Sequence, residues 1–209
     1  CARDEGLQTA GIMDHDSIAG AVEFRKAGKI AGIGTTCGME CRVDLSATKM
    51  AGRKLNNPDQ AGICYMAIHS IPATGFKRLD EVFAPLREKR NVRNRKMVAN
   101  INALMKPYGI EVDFDQDVVP ISQYQNGGSI TERHVLCALS QKILDKAPRG
   151  GCADFVEQEL GVALNDTAKA RLSDPENPHL IYDLLGVMKA ELVSKIYVPA
   201  TDECMPFAD

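Results

Sequence analysis

The stretch "AGIMDHDSIAG", residues 10–20, sets Asp14, His15 and Asp16 side by side directly behind an apolar run. The whole chain contains four histidines, so one placed between two carboxylates invites a chemical reading. An imidazole with acidic neighbours can ligate a divalent cation through one ring nitrogen while a carboxylate orients it through the other. Glu40 in "CGMEC", His69 in "AIHSI" and His134 in "TERHV" have the same competence. Together they make a mixed nitrogen and oxygen ligand set of the kind that zinc, manganese or iron accepts. Each also has a plainer alternative. His15 and His69 can be loop or core histidines, Glu40 a solvated carboxylate at a strand end, and His134 a residue that decorates a helix start. Nothing in the sequence has the H-E-x-x-H or C-x-x-C spacing that fixes a metal site on one local element. The surrounding elements must therefore bring these residues together.

Residues 7–13 form a short apolar run bounded by Gly6 and the acidic triplet, the pattern of a buried strand in a parallel sheet. Helical spacing follows over 17–31, with Asp16 placed to cap it and Gly32 placed to stop it. Residues 32–45 read as a second strand, the Asn-, Gly- and Pro-rich segment 51–62 as a loop, and 63–71 as a third strand. In folds that alternate strands and helices, ligands gather where the carboxyl ends of the strands open into one crevice. Asp14, His15, Asp16, Glu40 and His69 all fall at such ends.

A long charged helix is expected over 78–105, its broken apolar stripe running through Leu79, Val82, Phe83, Leu86, Val92, Met97, Ile101 and Leu104, with Pro85 inside it. Residues 107–128 read as turns and extended chain. Ser129 with Glu132 three residues on matches a capping box and predicts a helix over 130–146 with His134 in its first turn. Shorter helices are expected over 151–160, 166–173 and 179–195, the last beginning at His179. The organisation read from this pattern is α/β: a strand-helix-strand-strand segment over 1–77, a mainly helical insertion over 78–195, and a return toward the sheet over 196–209.

Composition narrows the function classes. A chain of 209 residues with 44% hydrophobic and 25% charged residues is long enough for one sizeable core. A net charge of −3 gives no general attraction to phosphate backbones, and the basic run 86–98 reads as a solvated helix face, which leaves a nucleic-acid partner only weak support. The seven cysteines are odd in number and form no C-x-x-C pair, so they read as reduced thiols of a cytoplasmic protein. Cys37, Cys41 and Cys64 are expected in the core rather than on a metal. No stretch approaches the roughly 18–20 apolar residues that a spanning helix needs, so no membrane partner is expected. Gly127 and Gly128 suit either a phosphate nest or a plain turn before a helix.

Three segments carry a resemblance. "GIMDHDSIAGAVEFRKAGKIAGIGTTCGMEC" resembles the second and third motifs of the PHP family, the polymerase and histidinol phosphatase domains, which read as an apolar strand, D-H-D-[ST]-x-x-G, a helix and G-x-E. "LREKRNVRNRKMVANINAL" is similar to the helix that opens the helical insertion in the metal-dependent phosphoesterase branch, and "SITERHVLCAL" to the segment with a later metal-binding histidine. The match spans roughly residues 5–145.

The resemblance implies a distorted seven-stranded TIM-like β/α barrel that binds two or three divalent ions (zinc, manganese or iron) and hydrolyses phosphate esters. Carried over by position, it implies metal ligation by His15, Glu40 and His134, with Asp14 and Asp16 as flanking catalytic carboxylates. His69 falls five residues after Cys64, which occupies the family's usual histidine position, so either residue is a candidate for that ligand. The family's G-R-P-H reads T-E-R-H here, which displaces Arg133, the candidate phosphate-binding residue, by one position. The family's first H-x-H would precede Cys1 and its last D-x-H is absent from 146–209, so the resemblance implies a longer parent chain. The expected activity is hydrolysis of a phosphorylated small metabolite, nucleotide or short oligonucleotide, the alternative being a non-catalytic binding or assembly domain on the same scaffold.

Overall fold

The protein is described by a computed structural model that covers residues 1–200 and 202–208. Its chain divides into two compact units, Cys1–Val92 with Gln123–Ser129 and Pro199–Asp209, and Arg93–Ser122 with Ile130–Val198.

In the first unit, strand β1 (Thr9–His15) leads through helix α1 (Ala21–Ala31) to the long strand β2 (Gly34–Ala47), and strand β3 (Ile63–Ile68) follows the loop. β1 lies parallel to the first half of β2, from Thr9 opposite Gly34 to His15 opposite Glu40. β3 runs antiparallel on the other side, from Met39 opposite Ile68 to Asp44 opposite Ile63. A last strand, β4 (Met205–Ala208), pairs parallel with the second half of β2. The sequence points to a seven-stranded barrel. The described residues form a mixed α/β unit around this four-stranded sheet.

Alternation along β2 separates two faces. Cys37, Met39, Cys41, Val43 and Leu45 are buried against Ile18, Ala21, Ile71 and Phe83, with Phe24, Leu79 and Leu86 at the margin. Each such side chain contributes roughly 1.5–3 kcal/mol by leaving water. Glu40 points to the opposite face with His15 and Ala67, its partners across the register. Two expectations change here. β1 is mostly exposed rather than buried on both faces: Thr9, Gly11, Met13 and His15, which share one side of it, are all exposed. β3 turns back antiparallel, since the loop 51–62 that joins it to β2 contains no crossover helix.

The long helix α2 (Phe76–Met105) contains Pro85, and the division between the units falls within it, between Val92 and Arg93. Phe83, Arg87, Arg90, Asn94, Met97, Ile101 and Met105 form a buried stripe at steps of three or four, and Asn91, Arg93 and Val98 beside it are buried as well. The basic run is thus not a solvated face throughout: Arg87, Arg90 and Arg93 are buried, while Arg95 and Lys96 are exposed. Val82 and Val92, expected in the stripe, face solvent at 45% and 58% exposure.

The second unit is helical. α3 (Glu132–Lys146) buries Val135, Leu136, Leu139 and Ile143, and α6 (Leu180–Ile196), which packs on it, buries Leu184, Met188, Leu192 and Ile196. α4 (Cys152–Asp154) runs into a π-helical turn at Phe155–Glu159, and α5 (Asp166–Ser173) begins at Asn165, whose side chain accepts the Ala168 N–H at 2.8 Å. The cap of α3 is not Ser129 with Glu132. Thr131 takes the N-cap position and His134 the third helical position, because Ser129 is drawn off to donate to the His15 carbonyl at 2.6 Å. Among the described residues, no helix is long and apolar enough to cross a membrane.

Candidate metal centre on the open sheet face

His15 ends β1 and Glu40 lies beside it on β2, so the pairing register alone makes their side chains neighbours. His15 Nδ1 lies 3.0 Å from Glu40 Oε1, with the imidazole half exposed and the carboxylate one-third exposed. Tyr65, two residues from Ala67 on the same face of β3, adds an aromatic wall with its ring centroid 6.3 Å from that of His15. Gly38, two residues before Glu40 on the same face of β2, is closely packed and leaves no room for a side chain. A Cβ there would meet the Ile68 carbonyl oxygen at 2.7 Å and the Met13 methyl at 2.9 Å.

The two acids beside His15 have different surroundings. Asp14, exposed, alternates to the helix side of β1, where Gly20 gives it room: a Cβ at Gly20 would stand 3.2 Å from Asp14 Oδ2. Asp16 is buried at 3% exposure and adopts a left-handed backbone, φ +50°, which Asp tolerates better than most residues. Its N–H donates to the Glu40 carbonyl at 2.8 Å, its carbonyl accepts from Arg87 Nη1 at 3.0 Å, and its carboxylate pairs with Arg90 Nη1 at 2.8 Å. Arg87 also pairs with Asp80 at 2.6 Å. Ser17, in the same turn, donates to the Gly127 carbonyl at 2.8 Å. Asp16 therefore belongs to the turn and does not cap α1, whose N-cap is Gly20. The Gly127 carbonyl thus serves this turn, while the Gly128 N–H closes its own loop by donating to the Gln123 carbonyl at 2.9 Å.

His69 lies one residue past β3, exposed. Cys64 is buried on the core face of β3 opposite Val43, away from the Glu40 side. Burial pushes the Cys41 thiol up to about 11, with the charges of Asp16, Cys64 and Glu40 adding to it, so Cys41 stays protonated at neutral pH. Arg133 and His134 are in the first turn of α3, in the second unit. His134 Nδ1 accepts the Thr131 N–H at 3.1 Å, and burial holds its imidazole below the ordinary range.

The donor set fits a divalent ion in part. An imidazole nitrogen and a carboxylate oxygen 3.0 Å apart have the spacing of two adjacent ligand atoms, each about 2.1 Å from one cation. Among the described residues, no group of three or more His, Cys, Asp or Glu side chains is arranged to hold an ion.

No family model and no curated protein matches the chain. Among solved structures, it is similar to a "putative metal-dependent phosphoesterase" from Bifidobacterium adolescentis, with a TM-score of 0.51 and 18% identity over 82% of this chain. The chain spans about half that structure's length, 54%. At that identity the likeness speaks for the fold.

Proposed function

We propose that this chain is part of a metal-dependent phosphoesterase whose sheet is a segment of a PHP-type barrel. The observation that carries this reading is the meeting of His15 Nδ1 and Glu40 Oε1 at 3.0 Å where β1 ends beside the middle of β2, on a sheet face where both are accessible. The likeness of the fold to a protein described as a metal-dependent phosphoesterase supports it.

His15 and Glu40 would hold zinc, manganese or iron, with His69 as a further candidate from the same unit. A bound ion supplies Lewis acidity, which brings the pKa of a water nucleophile toward neutrality and offsets charge on the phosphoryl oxygens. His15 must be neutral to serve, so binding weakens as acid protonates the imidazole. Tyr65, with its ring beside that of His15, would stand against the rest of the substrate. Asp16, buried and ion-paired, orients the turn; proton transfer, if a side chain assists it, falls to the exposed carboxylates. The substrate is a phosphate ester of a small metabolite, a nucleotide or a short oligonucleotide, handled in the cytoplasm.

Calorimetric titration of the full-length protein with Mn²⁺ and Zn²⁺, together with hydrolysis of an aryl phosphate before and after His15→Ala, tests this. Loss of both binding and turnover in the variant is expected; unchanged turnover eliminates the assignment. A second reading, a non-catalytic binding domain, is favoured by the two-residue extent of the ligand set among the described residues. It predicts that the full-length protein binds no metal.

A further inference from the structure

The buried arginines of α2 are the feature that the proposed chemistry leaves unused. We infer that Arg90 and Arg87 are positioning residues for the metal centre, acting through Asp16 to fix where the His15 imidazole stands. The inference rests on the metal-centre reading for its function, although the clamp itself is independent of any ion.

The turn that closes β1 begins at the strand's last residue, His15. Asp14 and Ser17 bridge its ends, leaving His15 and Asp16 at the apex. Such a turn with a non-glycine residue at φ +50° is held in a sparsely populated conformation, which persists only where its surroundings over-determine it. They do so here at every polar group of Asp16. The N–H is held by the Glu40 carbonyl at 2.8 Å, the carbonyl by Arg87 at 3.0 Å, and the carboxylate by Arg90 at 2.8 Å. Arg87 and Arg90 are each 5% exposed and three residues apart on one face of α2, so a single helix turn delivers both guanidinium groups to the same residue. A lysine would offer a point charge where the arginine offers a planar fork.

The consequence reaches the site through two short links. Asp16 is bonded in sequence to His15, and its N–H is bonded to the carbonyl of Glu40, so the residue that the arginines grip touches both candidate ligands. Releasing the carboxylate frees the turn to leave the left-handed region, and the His15 ring then loses its registry with Glu40. An ion pair buried at 3% and 5% exposure could instead merely glue the helix to the sheet, and the test must separate the two.

Arg90→Lys and Asp16→Asn keep side-chain volume and are the primary variants; Arg90→Ala is the severe one. Four quantities are read: thermal unfolding, exchange protection of the Asp16 amide, the ¹⁵N imidazole spectrum of His15 and Mn²⁺ affinity. The expected result in Arg90→Ala and Asp16→Asn, below their unfolding temperatures, is a loss of Asp16 amide protection by about tenfold or more. The His15 nitrogens shift toward those of a free imidazole, Mn²⁺ affinity falls roughly tenfold, and Arg90→Lys recovers part of each change. Lowered unfolding temperature with an unmoved His15 spectrum and unmoved Mn²⁺ affinity overturns the inference. If the wild type binds no Mn²⁺ yet the His15 spectrum still follows Arg90, the clamp stands and the metal reading fails.

Discussion

Two turns of this molecule present a histidine beside hydrogen-bonding neighbours, and they use it in opposite ways. At the end of β1, the backbone around His15 is held by other groups, Ser129 on its carbonyl and the Asp16 network beside it, and the imidazole is left on an open face against Glu40. At the start of α3, the imidazole of His134 is itself the holding group, its Nδ1 taking the Thr131 N–H that the helix would otherwise leave unsatisfied. A histidine whose backbone is secured by others keeps its ring for chemistry. One that secures a helix end has one ring nitrogen already committed.

The sharpest way to break this comparison is at Asp16. Removing its carboxylate in Asp16→Ala takes away the group that buried Arg90 Nη1 pairs with and asks alanine to adopt φ +50°. A loss of about 3–5 kcal/mol in unfolding free energy is expected, the scale for breaking one side of a buried pair. Urea denaturation followed by circular dichroism measures it. A loss under about 1 kcal/mol would show that the turn does not depend on the arginines.

The next effect is smaller and has a pH signature. His134→Gln keeps an acceptor of similar reach, whereas His134→Ala abandons the Thr131 N–H and costs about 1 kcal/mol. Burial holds the His134 pKa below its ordinary value of 6.5, so the folded state binds fewer protons than the unfolded state. Its contribution is therefore complete above pH 6.5 and is lost as pH falls from there through the folded-state value. Between pH 7 and 5 the wild type should lose more stability than His134→Gln; equal slopes would show that His134 is not buried as described. Zn²⁺ offers a second check. Ligation through Nε2 would require the proton to move to Nδ1 and displace the Thr131 N–H, so the Thr131 amide resonance is expected to stay in place when Zn²⁺ is added.

How much of this was legible in the sequence follows from which forces are local. The apolar runs and turn residues mark the strands around Ile12, Met39 and Cys64 and the helices around Phe83, Leu139 and Met188, because burial periodicity is written into neighbouring residues. The pairing of His15 with Glu40 was legible only in part: His15 does end β1, but Glu40, expected at a strand end, stands midway along β2 and meets His15 through the register of the pair. What the sequence concealed was the third dimension of α2. Arg87, Arg90 and Asn94 occupy the same stripe as Phe83, Met97 and Ile101, but a charged residue at a stripe position reads as solvated unless its partner is known. The partner, Asp16, lies 74 residues earlier than Arg90, in a turn whose left-handed conformation leaves no mark on composition. The signal that could have found the pair is the spacing itself, R-x-x-R set on the extension of an apolar stripe. Ser129 misled for a similar reason: its hydroxyl is 114 residues from the carbonyl that claims it.

The smallest expected effect is the one that tests the openness of the His15 site. The His15 side chain is half exposed, and its Nδ1 contact with the one-third-exposed Glu40 carboxylate is a largely accessible pair of the kind that contributes little. His15→Ala should therefore change unfolding free energy by no more than about 0.5 kcal/mol, as surface substitutions usually do. The backbone bonds that secure the turn, from Ser129 to the residue-15 carbonyl and from the Asp16 N–H to Glu40, do not involve the imidazole and survive the change. Metal binding, by contrast, should be lost entirely. A histidine that costs almost nothing to remove from the fold, yet stands fixed beside a carboxylate by groups other than its own ring, is positioned at the expense of its neighbours. Should His15→Ala instead unfold the protein at moderate denaturant, the imidazole would be part of the scaffold, and the contrast with His134 would collapse.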